Sequence, residues 1–329
     1  MDKTAVLLIN LGTPDAFDTA SVRTYLKQFL SDRRVIDLPR WKWLPILHGI
    51  VLRVRPAKSA NLYKSIWMED GSPLLLYSEK QKIQLQARIE SEKLKVSLAM
   101  NYGNPSIDDE LEKLHQWGVR KLIIVPLFPQ YSSTTTASIW DSVQRSLSKW
   151  RDIPEVCFIR DFADHPKWIE LLSKRIQNGL SEFGTPDAIV LSYHGIPLRY
   201  AHAGDDYPIR CRTTTDALRK QFPNLNFVES FQSKFGKEPW LEPATSEALK
   251  QLAQQGKKNI HIIAPAFTAE CLETLEELEV ENRETFMQAG GKQYHYLPAA
   301  NDDSLFIDCL EELVQPYLQV NKDIERSVN

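Results

Sequence analysis

The regular alternation of short apolar runs with longer amphipathic stretches most constrains the fold of this 329-residue chain. Apolar runs of this length, unbroken by polar residues, are typical of strands buried on both faces of a sheet. Strands that alternate with helices favour parallel sheets covered by helices on both sides, an α/β architecture. The predicted strands are Val6–Asn10, Lys95–Met100, Leu122–Pro126, Val156–Arg160, Ala188–Ser192, Asn226–Ser230, Ile260–Ala264 and Gln293–Leu297. The predicted helices are Glu79–Glu90, Ile107–Gln116, Thr136–Trp150, His165–Gly179, Thr213–Gln221, Ser246–Gln254, Glu270–Gly290 and Asp303–Val320.

An internal repeat indicates two related halves. LLINLGTP (Leu7–Pro14) and VLSYHGIP (Val190–Pro197) share an apolar strand followed by Gly, one residue and Pro. Later in each half, an apolar strand ends in Pro-x-Phe, at Pro126–Phe128 and at Pro265–Phe267. Ligands of open α/β sheets bind beyond the carboxyl ends of the strands. We therefore expect a duplicated α/β domain with an active site between the halves.

Composition excludes several classes of protein. The net charge of −3 gives no field suited to a nucleic-acid polyanion, so no nucleic-acid partner is expected. No apolar run approaches the ~20 residues needed to span a bilayer, and the N-terminus lacks the pattern of a signal peptide. The four cysteines are scattered without a CxxC pair, which argues against a zinc ribbon or a redox dithiol. We expect a cytoplasmic chain with free thiols.

Two groups of residues have chemistry suited to catalysis. His194 lies at the carboxyl end of a predicted strand and precedes Gly195 and Pro197, so its imidazole could accept a proton or bind a metal. A structural histidine bonded to backbone is the alternative. Glu270, Glu273, Glu277 and Glu281 are spaced by three and four residues, which predicts one helical face. Such a row is either a solvated acidic surface or a set of carboxylates for a divalent metal or a proton relay.

Two further segments suggest binding surfaces. Pro129–Thr136 carries hydroxyls into the start of a predicted helix, where they either bind an anion or cap the helix. No GxGxxG or GxxxxGK[ST] motif accompanies it, and no GxSxG elbow is present. Trp41 and Trp43 lie in a proline-bounded basic stretch, Leu38–Pro45, which predicts an exposed apolar lip. Packing in a core is the alternative for both tryptophans.

Taken together, the motifs resemble those of the ferrochelatase family. They follow the family order and cover nearly the whole chain, which makes the set specific although each motif alone is weak. The motifs are NLGTPD (Asn10–Asp15), RVIDLPR (Arg34–Arg40), RPAKSANLY (Arg55–Tyr63), GSPL (Gly71–Leu74), PLFPQYSSTTTAS (Pro126–Ser138), SYHGIP (Ser192–Pro197), GDDYPIRCRTT (Gly204–Thr214), QSKFGKEPWL (Gln232–Leu241) and FTAECLETLEEL (Phe267–Leu278).

The resemblance implies two Rossmann-like domains of the type II chelatase kind around a porphyrin cleft. The first would span 1–162 together with a C-terminal helix at 303–329, and the second would span 163–302. The implied reaction is insertion of ferrous iron into protoporphyrin IX, the terminal step of haem biosynthesis. The alternatives are a chelatase for another tetrapyrrole or metal, such as coproporphyrin or cobalt, and a non-catalytic porphyrin- or haem-binding protein.

By the same resemblance, His194 and Glu273 are the catalytic pair, and both join Glu277 in handling metal or protons. Some of the residues implied to contact the porphyrin would touch its ring, and others would lie at its propionate end. They are Leu11, Arg55, Tyr63, Ser72, Tyr102, Ser133, Thr134, Ser233, Trp240 and Phe267. Three positions depart from the usual pattern: Asn101 replaces a cation, Glu270 replaces Asp, and Cys271 replaces the His of animal enzymes.

The resemblance also implies partners and cofactors. Beyond ferrous iron as substrate, no cofactor is expected, and the tail lacks the cysteine cluster that would hold an iron–sulfur centre. A monomer is expected, with peripheral membrane contact through Trp41 and Trp43 on the inner face of the membrane.

Overall fold

The computed structural model describes residues 3–89 and 91–318. These residues form two compact units. The first unit takes its described residues from 3–127, 134–161 and 302–318, and the second consists of 128–133 and 162–301. The short segment 128–133 thus groups with the second unit, whereas the sequence-based division places it in the first. The end of the predicted C-terminal helix, 319–329, lies outside the described residues.

A parallel four-stranded sheet occupies the centre of each unit in the described part of the chain. The first sheet has the order β2–β1–β3–β4, with β1 (Thr4–Gly12), β2 (Leu94–Tyr102), β3 (Lys121–Pro126) and β4 (Glu155–Phe158). The second has the order β6–β5–β7–β8, with β5 (Ala188–His194), β6 (Phe227–Gln232), β7 (Asn259–Ile263) and β8 (Gln293–Leu297). The predicted parallel α/β fold is confirmed, and the identical strand order agrees with a duplicated domain.

Helices connect the strands, as parallel pairing requires. The α-helices are α1 (Thr19–Ser31), α2 (Arg40–Ile46), α3 (Leu52–Ile66), α4 (Pro73–Arg88), α5 (Ile107–Trp117), α6 (Thr136–Leu147), α7 (Pro166–Phe183), α8 (Leu198–His202), α9 (Tyr207–Gln221), α10 (Thr245–Gln254), α11 (Arg283–Gln288) and α12 (Ser304–Leu318). Two segments form π-helices, Leu47–Val51 and Glu273–Asn282. No helix in residues 3–89 or 91–318 is long and apolar enough to cross a membrane.

The region from α1 to α3 corrects one sequence-based interpretation. The stretch read as a lip is helical, and its two tryptophans differ in burial. Trp43 is buried, and its Nε1 donates a hydrogen bond of 2.7 Å to the Leu30 carbonyl. The prediction of an exposed Trp43 is therefore wrong, because α2 turns this ring onto the end of α1. Trp41, by contrast, is 75% exposed.

In the second unit, the core brings three elements against the sheet. Leu249 of α10, Leu278 of the second π-helix and Phe286 of α11 pack with Ile260 and Ile262 of β7. Burial of large aliphatic and aromatic side chains of this kind contributes roughly 1.5–3 kcal/mol each. This packing fixes the acidic π-helix beside the sheet whose central strand ends at His194.

Candidate active site

His194 is the last residue of β5 and is partly buried. Its Nδ1 lies 2.7 Å from the Gly195 carbonyl oxygen. Since a carbonyl can only accept, Nδ1 carries the proton and donates it, which leaves the lone pair on Nε2. The backbone contact therefore does not exclude catalysis: it fixes the tautomer in which Nε2 can act as a base.

The predicted row of four glutamates divides into three environments. Glu270 precedes the π-helix and is buried, where it accepts hydrogen bonds from the Ala299 amide at 2.9 Å, the Tyr296 hydroxyl at 2.9 Å and the Thr274 hydroxyl. Such a fully paired carboxylate has a structural role. Glu281 is exposed to solvent. The expectation of one continuous acidic face is wrong, and Glu273 and Glu277 remain as the candidate pair.

The helix that carries this pair is a π-helix over Glu273–Asn282, where the sequence predicts one α-helix from Glu270 to Gly290. π-helical turns are rare and occur frequently at functional sites. The side chain of Asn282 donates a hydrogen bond of 2.8 Å to the Glu277 carbonyl, which helps to hold the wider turn. The regular α-helix resumes only at Arg283.

Glu277 is held by the residues that follow β6. Its carboxylate accepts hydrogen bonds from the Ser233 amide at 2.6 Å and from the Ser233 hydroxyl. Burial raises the pKa of Glu277 above its usual value, while the Ser233 bonds and the nearby His194 oppose that rise. His194 and Glu273 both act electrostatically on Glu277, so each lies close enough to Glu277 to influence it. A raised pKa and a charged neighbour are common features of residues that move protons.

Backbone strain at Ser233 accompanies this contact. Ser233 adopts a left-handed conformation with φ of 64°, which is uncommon for a residue other than glycine. The conformation turns both its amide and its hydroxyl onto Glu277. Ser233 is predicted to bind a propionate, and that assignment stays a prediction; its observed partner is Glu277.

Aromatic side chains line the turn after β5. Trp240 pairs with Pro197 through an isolated β-bridge, and its ring fills the space that a side chain at Gly195 would occupy. Phe267 follows β7 and packs against the core of the second unit. Both side chains are only partly buried and so offer apolar surface. Their predicted contact with a macrocycle fits this position and stays a prediction.

The hydroxyl loop Pro129–Thr136 is tied to the GDDY segment. The Ser133 amide and the Ser132 hydroxyl donate to the Asp205 carboxylate at 2.7 and 3.0 Å. Asp205 also accepts a bond of 3.1 Å from the Tyr207 amide. Ser133 belongs to the second unit, whereas Thr134 begins the next segment of the first unit.

Most of the remaining predicted porphyrin contacts lie in the first unit. Leu11 is partly buried near the end of β1, and Arg55 is exposed on α3. Tyr63 is buried on α3 against the Tyr25 and Trp67 rings. Ser72 is buried immediately before α4.

Tyr102 and Asn101, at the end of β2, take part in a partly buried network with Asp32. The Tyr102 hydroxyl donates to Asp32 at 2.7 Å, and burial raises the Tyr102 pKa well above its usual value. Asn101 Nδ2 donates to the Ser138 hydroxyl at 2.8 Å, and Ser138 in turn donates to Asp32. The hydroxyl of Tyr102 is thus already paired within the first unit, so substrate contact would use its ring.

Sequence reasoning missed one residue of the site, Gln232, whose side chain contacts the π-helix. A signal was present, because Gln232 immediately precedes Ser233 in the QSKFGKEPWL motif and lies two residues beyond the predicted strand Asn226–Ser230.

Comparison with known proteins identifies the family. The family model described as Ferrochelatase matches residues 3–318. The coproporphyrin III ferrochelatase of Symbiobacterium thermophilum is 57% identical over 318 residues, which cover 97% of this chain and 99% of that protein. The chain belongs to the ferrochelatase family. Ferrochelatases of Pectobacterium atrosepticum and Yersinia enterocolitica are 51% and 49% identical, each covering 98% of the relative and 95% and 96% of this chain.

Solved structures agree on the fold. SirB from Bacillus subtilis with Fe³⁺ has a TM-score of 0.56 at 14% identity, covering 96% of this chain and 98% of that chain. The sirohydrochlorin chelatase SirB in complex with cobalt gives 0.57 at 11% identity, with the same coverage. At this identity the likeness shows the chelatase-type fold alone.

As a ferrochelatase, the protein is a lyase of haem biosynthesis that inserts metal into a porphyrin. Porphyrin and iron are therefore its substrates. Within the part of the chain that the structure describes, no group of three or more His, Cys, Asp or Glu side chains is arranged to hold a metal ion.

Proposed function

We propose that this ferrochelatase inserts ferrous iron into protoporphyrin IX to form haem, with His194 as the base that accepts pyrrole protons. The observation that carries the proposal is the fixed tautomer of His194. Its Nδ1 donates to the Gly195 carbonyl, so the lone pair of the neutral imidazole is on Nε2, and Glu277 lies close enough to interact with the ring. A neutral imidazole with its proton-accepting nitrogen free is suited to general-base chemistry near neutral pH.

Charge balance explains why a base and carboxylates belong together. A porphyrin loses two pyrrole protons while it gains one divalent cation, so its net charge is unchanged when both events occur. Proton removal without metal entry would leave a costly charge in an apolar site. A base that removes protons while carboxylates bring the cation therefore lowers the barrier for both steps.

In this mechanism Glu273 and Glu277 pass on the protons or guide iron. The raised pKa of Glu277 lets it exist in both protonation states closer to neutral pH than a solvated carboxyl would. We assign to the apolar side chains Leu11, Trp240 and Phe267 the contact with the macrocycle. We assign to Arg55, Tyr63, Ser72, Thr134 and Ser233 the surroundings of the propionate end, and to Tyr102 and Ser133 a contact with the porphyrin.

The identity of the porphyrin is the finer part of the proposal. Protoporphyrin IX carries two propionates and coproporphyrin III carries four, so the second candidate needs more cationic partners. The apolar exposed side chains around Trp41 favour the less charged ring. The 57% identity to a coproporphyrin III ferrochelatase favours the alternative.

An anaerobic assay with ferrous iron and each porphyrin in turn tests the proposal. The absorption bands of the porphyrin monitor its conversion. We expect protoporphyrin IX to be converted with a kcat/KM at least tenfold above that for coproporphyrin III. A reversed ratio would transfer the proposal to coproporphyrin III, and a shifted but unconverted spectrum with both would indicate a binding protein.

The role of His194 is tested in the same assay. We expect His194→Ala to lose at least a hundredfold in kcat while it still shifts the porphyrin spectrum on binding. The exposed His202 of α8 offers a matched control, since His202→Ala removes an imidazole outside the site. Full activity of His194→Ala would remove it from the mechanism.

We also propose that the enzyme needs no cofactor beyond its substrate, ferrous iron.

We further propose that the enzyme contacts membranes peripherally at Trp41. The membrane proposal is supported by the exposed apolar side chains Ile46, Ile50 and Val54, which continue from Trp41 along the same segment, and by the neighbouring Lys42. Trp43 no longer belongs to it, since that ring is buried.

A further inference from the structure

The buried residue Gln232 contacts both the end of β5, which carries His194, and the π-helix, which carries Glu273 and Glu277. It ends β6, pairs with His194 across the sheet and is 2% exposed. Its backbone carbonyl accepts a bond of 2.8 Å from the Gly195 amide, in the turn that sets the His194 tautomer. The backbone of Gln232 therefore holds the strand that carries the proposed base.

The side chain of Gln232 contacts the π-helix. Its Nε2 donates to the Glu273 carbonyl at 2.9 Å and approaches Glu277 Oε2 at 3.5 Å. Its Oε1 accepts a bond of 2.8 Å from the Ser192 hydroxyl. Because the Glu273 carbonyl can only accept, the amide orientation is determined by its surroundings.

The arrangement requires an amide. A donor is needed toward Glu273 and Glu277, and an acceptor is needed toward Ser192, and glutamine supplies both at the right length. A carboxylate in the same place would repel Glu277. An aliphatic side chain would lose the bonds to the Ser192 hydroxyl and the Glu273 carbonyl. Neither would hold the first turn of the π-helix.

We propose that Gln232 is a positioning residue for the reaction: it fixes the first turn of the π-helix, with Glu273 and Glu277, relative to the strand that ends at His194. The inference rests on the proposed roles of these three residues. Gln232 itself does not act on the substrate. Its loss should lower turnover rather than porphyrin binding, because near-attack geometry depends on small displacements.

Gln232→Met removes the amide with little change in size, and Thr245→Val provides the matched control. Thr245 bonds the Ser192 hydroxyl at 2.8 Å from the far side of the same buried network, without a bond to the π-helix. We expect Gln232→Met to lower kcat about tenfold with porphyrin KM changed less than twofold. We expect Thr245→Val to keep kcat within twofold while it lowers the melting temperature comparably.

A double variant tests whether Gln232 acts through the acidic pair. In a Glu277→Ala background, Gln232→Met should reduce kcat by less than threefold, because one of the two carboxylates that it positions is already absent. Fully multiplicative losses, an unchanged kcat in Gln232→Met, or an equal loss in Thr245→Val would each overturn the proposal. Gln232→Asn, whose shorter amide cannot reach both partners, replaces Gln232→Met if that variant does not fold.

Failure of this inference differs from failure of the proposed function. If His194→Ala is inactive while Gln232→Met retains normal kcat, only the positioning role is wrong. If His194→Ala retains full activity, the proposed base is wrong, and the comparison of Gln232→Met with the Glu277→Ala background still decides whether Gln232 positions Glu277.

Discussion

His261 is a buried imidazole of β7 whose two ring nitrogens both lack a hydrogen-bond partner among the described residues. Its neighbours are aromatic: the Phe183 and His295 rings lie edge-on to it, at centroid distances of 5.9 and 5.4 Å. Burial, followed by repulsion from His295, lowers the pKa of His261 to about 4. The imidazole is therefore neutral in the folded protein at ordinary pH, whereas the unfolded chain protonates it near pH 6.5.

Stability should consequently fall as the pH decreases from about 6.5 toward 4, because only the unfolded state gains the proton in that window. Above pH 6.5 both states are neutral and His261 contributes no pH dependence. We expect His261→Leu to flatten this part of the stability curve by about 2 kcal/mol between pH 6.5 and 4.5. Chemical unfolding at several pH values measures the effect, with the exposed His202→Gln as control. Parallel curves for wild type and His261→Leu would contradict it.

At the scale of single elements, the turn after β5 depends on a close approach to Gly195. A methyl group there would lie 2.8 Å from the Gln232 carbonyl oxygen and 3.1 Å from the Trp240 ring. The first distance is too short for backbone to tolerate, so the turn that carries His194 would have to move. The same carbonyl accepts the Gly195 amide, and that bond would be distorted as well.

We expect Gly195→Ala to lower kcat at least tenfold and to destabilise the protein by about 1–3 kcal/mol. The control is Gly49→Ala, since no atom lies within 4 Å of a methyl group added at Gly49. Steady-state kinetics and thermal unfolding of both variants provide the comparison. Equal activity of the two would show that the turn accommodates a side chain.

The elements also show what sequence patterns can predict. All eight predicted strands are found, with ends displaced by at most two residues, because continuous apolar runs depend on local sequence alone. The π-helix at Glu273–Asn282 was not predictable, since its wider turns depend on tertiary partners such as Gln232 and Ser233. Helices α2 and α3 were missed because basic and apolar residues mix there without a clean period. Helix α1 was also missed, although its buried residues Val22, Tyr25, Leu26 and Leu30 recur at helical spacing.

The site residues likewise divide into those that local sequence predicts and those that depend on tertiary contacts. His194 was identifiable from a strand that ends in His-Gly, and Glu273 and Glu277 from their spacing. The structural role of Glu270 was not, because its partners Tyr296 and Ala299 are distant in sequence.

For the whole molecule, the exposed surface near Trp41 is where contact with a membrane is proposed. We expect the wild-type protein to float with vesicles of anionic phospholipid and Trp41→Ala to lose at least half of that bound fraction. Trp140, a partly exposed tryptophan of α6, gives the matched control Trp140→Ala. Equal flotation of the two variants, or none by the wild type, would contradict the proposal.

The shared strand order has a consequence for how the chain's chemistry arose. When NLGTP and YHGIP are superposed on their glycines, Leu11 of β1 and His194 of β5 take equivalent places, each the residue before the glycine. One copy thus presents an apolar side chain and the other an ionisable one at the same point of an inherited scaffold. In a duplicated domain, each copy can specialise, one for apolar contact and the other for a reactive base.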